Sequence, residues 1–356
     1  MRNQPGMAKR GIAMSGQSAQ AHAVRIAEQA AEAWYQAQGS GGYETAVGVI
    51  AALALTARDD PAGPDPATTI VASSDQEIAG ALAEIWSLFW IARPELARLA
   101  GPLANWVHDD EPDAGKVHAI ADTARAAARH GLLDLAGTRS LRDTDVIGIM
   151  YQQMRSRAGA APGWARGEFS TPPGVCQAMA AVTLGGPGSL KPGMAIAAGP
   201  AGTGEMLRAA AGHIRGQGMD PAEFWWIVHG TSPAAVAVTA VNCHLWGLGL
   251  RVVIGVADPV AEPGWTQRAW AEQQAAIAHR DDVLRTRAMP AAAGQRQVAF
   301  KPDPAVQLAF PDKVRPDAPG NSAGSPAHPA GPETSPPRTS RPRSQPPPRQ
   351  ARGRRG

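Results

Sequence analysis

The hydrophobic pattern divides the chain into a long helical part and a shorter part in which strands alternate with helices. In the first part, apolar positions such as Ala23, Ile26, Ala30 and Trp34 recur at helical spacing, which is typical of amphipathic helices. Glycine- and proline-rich breaks separate the segments. Helices are predicted over residues 19–37, 45–57, 73–91, 95–107 and 114–130. The sequence thus predicts a disordered segment at 1–18 and a helical N-terminal domain at 19–140.

After residue 140 the pattern changes to three short apolar runs that are separated by helices. The runs lie at 194–198, 224–228 and 250–254, and the helices between them at 205–217 and 232–246. Alternation of strands and helices at this spacing is typical of a parallel α/β sheet. We therefore predict helices at 142–157 and 174–184, an α/β domain at 141–265, a helix and cover segment at 266–310, and a disordered Pro/Arg-rich tail at 311–356.

Charge is distributed unevenly along the chain. The formal net charge is +3, but residues 334–356 contain seven arginines and no acidic residue. The basic character therefore describes the tail more than the folded part. The tail contains no aromatic residues, and two interpretations remain open for it. It binds nucleic acid through phosphates in a salt-dependent way, or it is a low-complexity extension.

The cysteine count and the absence of long apolar segments indicate the cellular setting. Two cysteines, Cys176 and Cys243, are too few for a disulfide framework or a zinc site, which favours a reducing, cytoplasmic environment. No apolar segment follows the basic residues near the N-terminus, so a secretory signal is not expected. The most apolar helical segment, residues 85–91, is too short to span a bilayer. We expect no membrane partner and no metal.

Three motifs follow one another in the α/β part. A Phe-Ser-Thr-Pro turn occupies 169–172, a Pro-Ala-Gly-Thr-Gly loop occupies 200–204 after the first apolar run, and a helix that contains Asn242 ends at Gly247. Glycines at a strand-to-helix turn let the backbone approach a ligand, and the helix N-terminus offers free N–H groups. By themselves, these motifs are explained equally well by a tight turn at the loop and a helix N-cap at Thr171.

Taken in this order, the motifs resemble those of the adenine-N6 DNA methyltransferases of type I restriction-modification systems. The resemblance covers about residues 143–258. It implies a truncated Rossmann-like domain that binds S-adenosylmethionine, with the glycine loop around the methionine part and the threonine of the turn at its amino-acid end. It also implies DNA as the partner. The implied cofactor-binding residues are Phe169, Thr171, Pro200, Gly202, Thr203 and Gly204.

The chain departs from that family at three places. Ala198 stands where the family has an aspartate, and Gly230 stands where it has an acidic residue that binds the ribose hydroxyls. No Asn-Pro pair occurs in the chain, so the Asn-Pro-Pro-aromatic tetrapeptide that holds the flipped adenine is missing. No catalytic residue is assigned. We predict a degenerate member of the family. The alternatives are a non-catalytic interaction or DNA-binding partner of a restriction-modification system, and a small-molecule methyltransferase.

Several conspicuous side chains are assigned structural roles. Asn242 and Trp246 are interpreted as part of a helix end at glycine, His229 as a partly exposed loop histidine, and Asp258 as a solvated loop residue or a remnant of the family's acidic motif. Five of the ten tryptophans lie in apolar segments and are assigned to the core rather than to base stacking: Trp34, Trp86, Trp90, Trp225 and Trp226.

The resemblance also has a consequence for the sheet. In the family the first strand is central, so three strands alone leave the outer edge of the strand at 194–198 unpaired, which proteins rarely tolerate. Three kinds of element are candidates to cover this edge. They are the segments 297–300 and 306–310, the helix at 266–289, and a protein partner.

Overall fold

The computed structural model describes residues 16–39, 41–56, 65–109, 113–135, 139–158 and 171–291. Helices make up the first part of this chain. Their bounds are α1 Gly16–Gln38, α2 Tyr43–Leu55, α3 Pro66–Ala72, α4 Asp75–Ala92, α5 Pro94–Leu99, α6 Gly101–Ala104, α7 Ala114–Arg129, α8 Leu132–Leu135, α9 Arg139–Arg142 and α10 Val146–Arg157. A 3-10 turn at Asn105–His108 follows α6.

The predicted helices are present, with two differences that have local causes. The segment 95–107 is not one helix, because Gly101-Pro102 begins a new short helix, α6, after α5 and proline cannot donate the backbone hydrogen bond that would continue α5. The loop predicted around residues 59–66 ends in α3, which begins at Pro66 and is capped by the carboxylate of Asp65. Residues 16–18, assigned to a disordered segment, belong to α1.

The helical core is built around α2. Every residue of α2 from Thr45 to Ala54 is buried, which explains why this helix is apolar on all sides. It packs against α6, α7 and α10, while α1 packs against α7 and α10. A Cβ on Gly48 would lie 1.9 Å from the carbonyl oxygen of Leu103. The close approach of α2 and α6 therefore requires glycine at position 48.

The second part alternates strands and helices, as predicted. Its three strands are parallel and lie in the order β1-β2-β3. Ile196 of the first strand lies opposite Trp226, which in turn lies opposite Val252. The elements are α11 Pro173–Leu184, β1 Ala195–Ala198, α12 Glu205–Gly216, β2 Trp225–Gly230, α13 Pro233–Leu245, β3 Val252–Val256 and α14 Trp265–Ala291.

The two faces of the sheet are covered differently. One face, which includes Ile196, Trp226 and Ile254, belongs to the same hydrophobic core as α12 and α13. The other face is covered by α14, whose Trp265 packs in a separate cluster with Ile227 of β2 and with β3. The suggestion that this helix covers the outer edge of β1 is therefore wrong, because α14 packs on β2 and β3.

Within the described ranges, β1 pairs only with β2, and its residues Ala195 and Ala197 are exposed. The segments 297–300 and 306–310, suggested as further strands, lie outside the described residues, as does the tail at 311–356. No helix of the described ranges is long and apolar enough to cross a membrane.

Candidate ligand site at the carboxyl end of the sheet

The glycine loop lies between β1 and α12, at the carboxyl end of a parallel sheet. Open α/β sheets bind their ligands at this end. Gly202 has φ 55° and Gly204 has φ 98°, values that favour glycine. A Cβ on Gly204 would lie 2.9 Å from the Trp246 ring, whereas no atom lies within 4 Å of a Cβ on Gly202. Packing thus explains the glycine at 204, while Gly202 borders open space.

Thr203 is tied into the interior by a buried hydrogen-bond cluster. Its hydroxyl donates to the Asp145 carboxylate at 2.9 Å. The Asn242 amide donates to the other oxygen of this carboxylate at 2.7 Å and to the Thr203 carbonyl at 3.0 Å. Asp145 and Asn242 are 6% and 1% exposed. The side chain of Thr203 therefore holds the loop in place, and the cofactor contact predicted for this residue stays a prediction.

Asp145 is the residue of this cluster that sequence reasoning missed. It is the N-cap of α10, where its carboxylate also accepts from the Gly148 N–H at 2.9 Å. Burial, followed by the nearby charge of Glu205, raises the pKa of Asp145 to about 6. The hydrogen bonds from Gly148, Thr203 and Asn242 act in the opposite direction but do not outweigh burial. Its position before an apolar helical run was a local signal for an N-cap.

Helix α13 forms a second hydrogen bond to the glycine loop. The Thr239 hydroxyl lies 2.8 Å from the Gly202 carbonyl, to which it can donate. The Trp246 indole N–H donates to the Thr144 carbonyl at 3.1 Å. The helix ends as predicted, with Leu245 as its last residue and Gly247 at φ 64°. Besides forming a helix end, α13 therefore holds the glycine loop against the N-terminus of α10.

Helices α11 and α12 run side by side in the same direction. At their carboxyl ends, the His213 ring lies 2.8 Å from the Gly185 carbonyl and Gln217 donates to the same oxygen at 2.9 Å. At their amino ends, burial and then the charge of Glu205 raise the pKa of the Cys176 thiol. Cys176 is buried and free, like Cys243. The first turn of α11 therefore lies beside the first turn of α12.

Neither of these two helix starts has a side-chain cap. The N-cap residues are Pro172 for α11 and Gly204 for α12, and no side chain accepts a hydrogen bond from the first turn of either helix. Helix α13, in contrast, is capped by Ser232, which accepts from the Ala235 N–H at 3.4 Å. Free N–H groups at a helix start attract negatively charged groups. In α11 the Gly174 N–H is left for such a group, because Pro173 has no N–H and the Val175 N–H donates to the Pro172 carbonyl. In α12 the carboxylate of Glu205 already lies in the first turn, where it pairs with Arg208.

Thr171 precedes α11 and is half-buried. It is not the N-cap of this helix, because Pro172 occupies that position. The Thr171 carbonyl accepts a weak hydrogen bond from the Cys176 thiol at 3.7 Å, and its hydroxyl has no hydrogen-bond partner in the described part of the chain. Pro200 is exposed at the start of the loop. Phe169, the other predicted residue of the turn, lies outside the described residues.

The positions that depart from the family lie at the ends of β1 and β2. Ala198 is the last residue of β1 and is half-buried, and Gly230 is the last residue of β2. A Cβ on Gly230 would lie 2.8 Å from a methyl group of Val236. A longer side chain at position 230 would therefore press on α13. Neither strand end supplies a carboxylate to a ligand.

His229 is not a loop residue, because it belongs to β2. Its ring packs edge-on against Trp265, with 5.4 Å between the ring centroids. A Cβ on Gly199 would lie only 2.0 Å from the ring nitrogen Nε2. The other ring nitrogen, Nδ1, is buried and has no hydrogen-bond partner among the described residues. His229 thus fills the space between the start of the glycine loop and α14.

No protein-family model matches the chain, and no curated protein matches it. A solved structure, that of the type I restriction-modification system methyltransferase subunit from Streptococcus thermophilus, is similar with a TM-score of 0.39 and 16% sequence identity. The alignment covers 70% of this chain and 60% of that subunit. The chain therefore spans less than two thirds of the length of the subunit it matches, and a likeness of this degree assigns no function.

Proposed function

We propose that this chain is a methyltransferase-like protein that binds S-adenosylmethionine weakly at the carboxyl ends of β1 and β2 and does not methylate adenine by itself. The observation that carries the proposal is the glycine loop. Hydrogen bonds to the buried side chains of Asp145, Asn242 and Thr239 fix the backbone of this loop. On its outer side, no atom lies within 4 Å of a Cβ on Gly202, so there is space for a ligand. A loop fixed from the inside can bind a ligand on its outside without losing much conformational freedom.

The residues present fit one end of this cofactor. The Gly174 N–H and the first turn of α12, which has no side-chain cap, offer N–H groups to the carboxylate of the methionine part, and the Thr171 hydroxyl lies at the start of α11. The carboxylate of Glu205 in the same turn of α12 opposes this charge and is balanced by its pair with Arg208. S-adenosylmethionine would supply a sulfonium-bound methyl group, for which this chain has no identified acceptor. The roles of Thr171 and Gly202 are thus carried over from the sequence-based prediction, whereas Thr203 is given a positioning role.

The opposite end of the cofactor has fewer contacts. Ala198 and Gly230 replace two acidic side chains of the family, and each charge-assisted hydrogen bond contributes roughly 1.5–3 kcal/mol. Their loss weakens binding by roughly 100- to 10,000-fold relative to a site that has both. We therefore expect a dissociation constant near the millimolar range.

The absence of adenine methylation follows from the chain as a whole. No Asn-Pro pair occurs anywhere in the sequence, so the group that would hold the adenine amino nitrogen is missing. After β3, Asp258 accepts from the Val260 N–H at 3.0 Å, and Glu262 pairs with Arg268 at 2.5 Å. In this proposal these acidic groups stabilise the turn before α14 and do not take part in catalysis. If the chain acts on DNA, it does so together with a protein partner.

The test is calorimetric titration of the full chain with S-adenosylmethionine, followed by a matched pair of variants. Gly202→Asn places a side chain in the open space beside the loop. Gly218→Asn is the control, because Gly218 also has a positive φ, 78°, and no atom within 4 Å of its Cβ. Asparagine tolerates this backbone conformation in both places.

We expect Gly202→Asn to weaken binding of S-adenosylmethionine at least about 10-fold, and Gly218→Asn to leave it unchanged. No detectable binding by the wild-type protein at millimolar ligand would exclude the proposed cofactor site. Transfer of a tritiated methyl group to unmethylated DNA by the isolated chain would contradict the absence of catalysis.

A further inference from the structure

A cleft opens in the helical part of the protein, between α4, α7 and the 3-10 turn at Asn105–His108. Its volume is about 270 Å³, and we call it the α4–α7 cleft. It shares no residue with the glycine loop or with the starts of α11 and α12. An apolar cavity of roughly 150 Å³ already holds a benzene ring. The α4–α7 cleft therefore has room for a ring that carries a small substituent.

The walls of the α4–α7 cleft are apolar. On α4 they consist of the small residues Ala79, Gly80 and Ala83, and no atom lies within 4 Å of a Cβ on Gly80. On α7 they consist of Val117 and Ile120, which are both buried. The small residues of α4 thus leave space open between two helices that pack against each other. Mostly apolar walls with a few polar groups are typical of small-molecule sites.

A buried hydrogen-bond donor without an acceptor belongs to the same cleft. Trp106 lines the cleft and is only 7% exposed. Its indole nitrogen Nε1 is buried and has no hydrogen-bond partner among the described residues. A buried donor that stays unpaired destabilises a protein, and such donors are normally satisfied by a protein group or a bound molecule. The missing partner of Trp106 is therefore a hydrogen-bond acceptor, because an indole N–H can only donate.

The other polar side chains among the described lining residues lie at the rim of the cleft. Gln76 and Asp109 are exposed, and the Lys116 ammonium group pairs with the Asp109 carboxylate at 2.7 Å. This pair is neutral as a whole, so the rim favours neither an anion nor a cation. A buried water molecule needs about two to four polar partners, and away from the rim Trp106 supplies a single one. An uncharged, largely apolar molecule therefore suits the cleft better than a water molecule does.

We propose that the α4–α7 cleft binds a small uncharged molecule that combines an apolar ring with a carbonyl-type hydrogen-bond acceptor. The ring occupies the space beside Gly80, against Val117 and Ile120, and the acceptor receives the indole N–H of Trp106. Burial of the ring supplies most of the affinity. The hydrogen bond supplies selectivity, because a molecule of the same shape without an acceptor leaves the buried N–H unpaired.

The probe for this site is acetophenone, a benzene ring that carries a carbonyl group. Titrated into the full-length protein, it should shift the methyl nuclear magnetic resonance signals of Val117 and Ile120, with a dissociation constant of about 1 mM or below. The variant Gly80→Leu fills the cleft and should weaken binding at least about 10-fold. Gly212→Leu is the control and should bind as the wild-type protein does, because Gly212 also lies inside a helix, α12, with no atom within 4 Å of its Cβ. Leucine favours a helix more than glycine does, so both variants should fold.

The variant Trp106→Phe tests the hydrogen bond. Phenylalanine keeps an aromatic ring but has no N–H, so the variant should bind acetophenone at least about 5-fold more weakly. Ethylbenzene, which has the same ring and no acceptor, is the matched probe, and its affinity should fall by a smaller factor. An equal fall for both probes would overturn the role of Trp106 as the donor.

Two other results would overturn the site itself. One is the absence of any shift of the Val117 and Ile120 signals at about 10 mM acetophenone, well above the expected dissociation constant. This is the result expected if only water occupies the cleft. The other is equal binding of acetophenone by the wild-type protein and by Gly80→Leu, which would place the ligand elsewhere.

Discussion

The side-chain amide of Asn242 donates a hydrogen bond to the carboxylate of Asp145 at 2.7 Å, although 97 positions separate the two residues in the chain. The same amide donates to the carbonyl of Thr203 at 3.0 Å. One buried side chain on α13 thus connects the start of α10 to the glycine loop. This contact restrains a loop that contains two positive-φ glycines, and it leads to two predictions about stability.

The first prediction concerns Asp145. Its pKa in the folded protein, about 6, lies above the ordinary value of 3.8, so folding favours the protonated form. The stabilising effect of this difference is complete below pH 3.8 and is lost as the pH rises through 6. The free energy of unfolding falls by about 3 kcal/mol between these two pH values.

Asp145→Asn removes this titration while an amide can still accept from Gly148 and Asn242. We expect the variant to be more stable than the wild-type protein at pH 7, and the difference to shrink toward pH 4. Urea unfolding at several pH values measures this change. A stability difference that does not vary with pH would show that Asp145 does not titrate in this range.

The second prediction concerns Asn242→Ala. This change leaves the Thr203 carbonyl without its donor and removes one hydrogen bond from the Asp145 carboxylate. Leaving buried polar groups unpaired costs about 1–3 kcal/mol each, so we expect the free energy of unfolding to fall by about 2–4 kcal/mol. Hydrogen exchange of the amides of Gly202 and Gly204 should accelerate.

Asn105→Ala is the control for this change, because Asn105 is exposed in the 3-10 turn after α6. We expect its stability to stay within about 0.5 kcal/mol of the wild-type value. Unchanged exchange at the glycine loop in the Asn242 variant would refute the positioning role of this side chain.

How much of the fold is encoded locally can be judged from particular elements. The start of α4 was predictable because Ser74 and Glu77 form a capping box within four residues of sequence. The three strands were predictable because each is a short apolar run between a helix and a turn. The end of α5 at Leu99 was missed because the apolar spacing continues through Gly101-Pro102, where the backbone breaks.

The candidate site was predictable only in part, because its contacts are distant in sequence. The sequence motif identified the glycine loop, but Thr203 contacts Asp145 across 58 positions and Asn242 contacts Asp145 across 97. The local helix-start signal at Asp145 predicts its hydrogen bond to the Gly148 N–H. It does not predict the contacts of Asp145 with Thr203 and Asn242, which come from distant parts of the chain. The packing of the His229 ring beside Gly199 likewise depends on the register of β1 and β2, which local patterns do not determine.

A third prediction concerns His118, which lies between two carboxylates on the surface of the helical part. Its ring nitrogens lie 2.8 Å from Asp75 and 3.3 Å from Asp122. The hydrogen bond to Asp75 and then the charge of Asp122 raise the pKa of His118 above 6.5. Its contribution to stability is therefore present below pH 6.5 and is lost as the pH rises through the raised pKa.

We expect a nuclear magnetic resonance titration of the His118 ring to give a pKa above that of a free histidine. Because the ring is exposed, added salt should bring the pKa back toward the free value. The variant Asp75→Asn should lower the pKa of His118 more than Asp122→Asn does. The reverse order would mean that the charge of Asp122 outweighs the hydrogen bond to Asp75.

The last prediction compares the two positive-φ glycines of the loop. Alanine at either position is strained by the backbone, at φ 55° for Gly202 and 98° for Gly204. At position 204 the new methyl group would also lie 2.9 Å from the Trp246 ring and 3.3 Å from a methyl group of Thr239. Gly202→Ala should therefore cost only the backbone strain of about 1–2 kcal/mol, and Gly204→Ala about 1–3 kcal/mol more.

Thermal or urea unfolding of the two variants measures this difference, and a Gly204→Ala/Trp246→Phe double variant identifies its cause. The smaller ring relieves the contact with the new methyl group, so the double variant should lose less stability than the two single changes combined. Equal destabilisation by Gly202→Ala and Gly204→Ala would show that backbone strain alone determines both effects. In that case the close packing of Gly204 on α13 would not be what holds the loop.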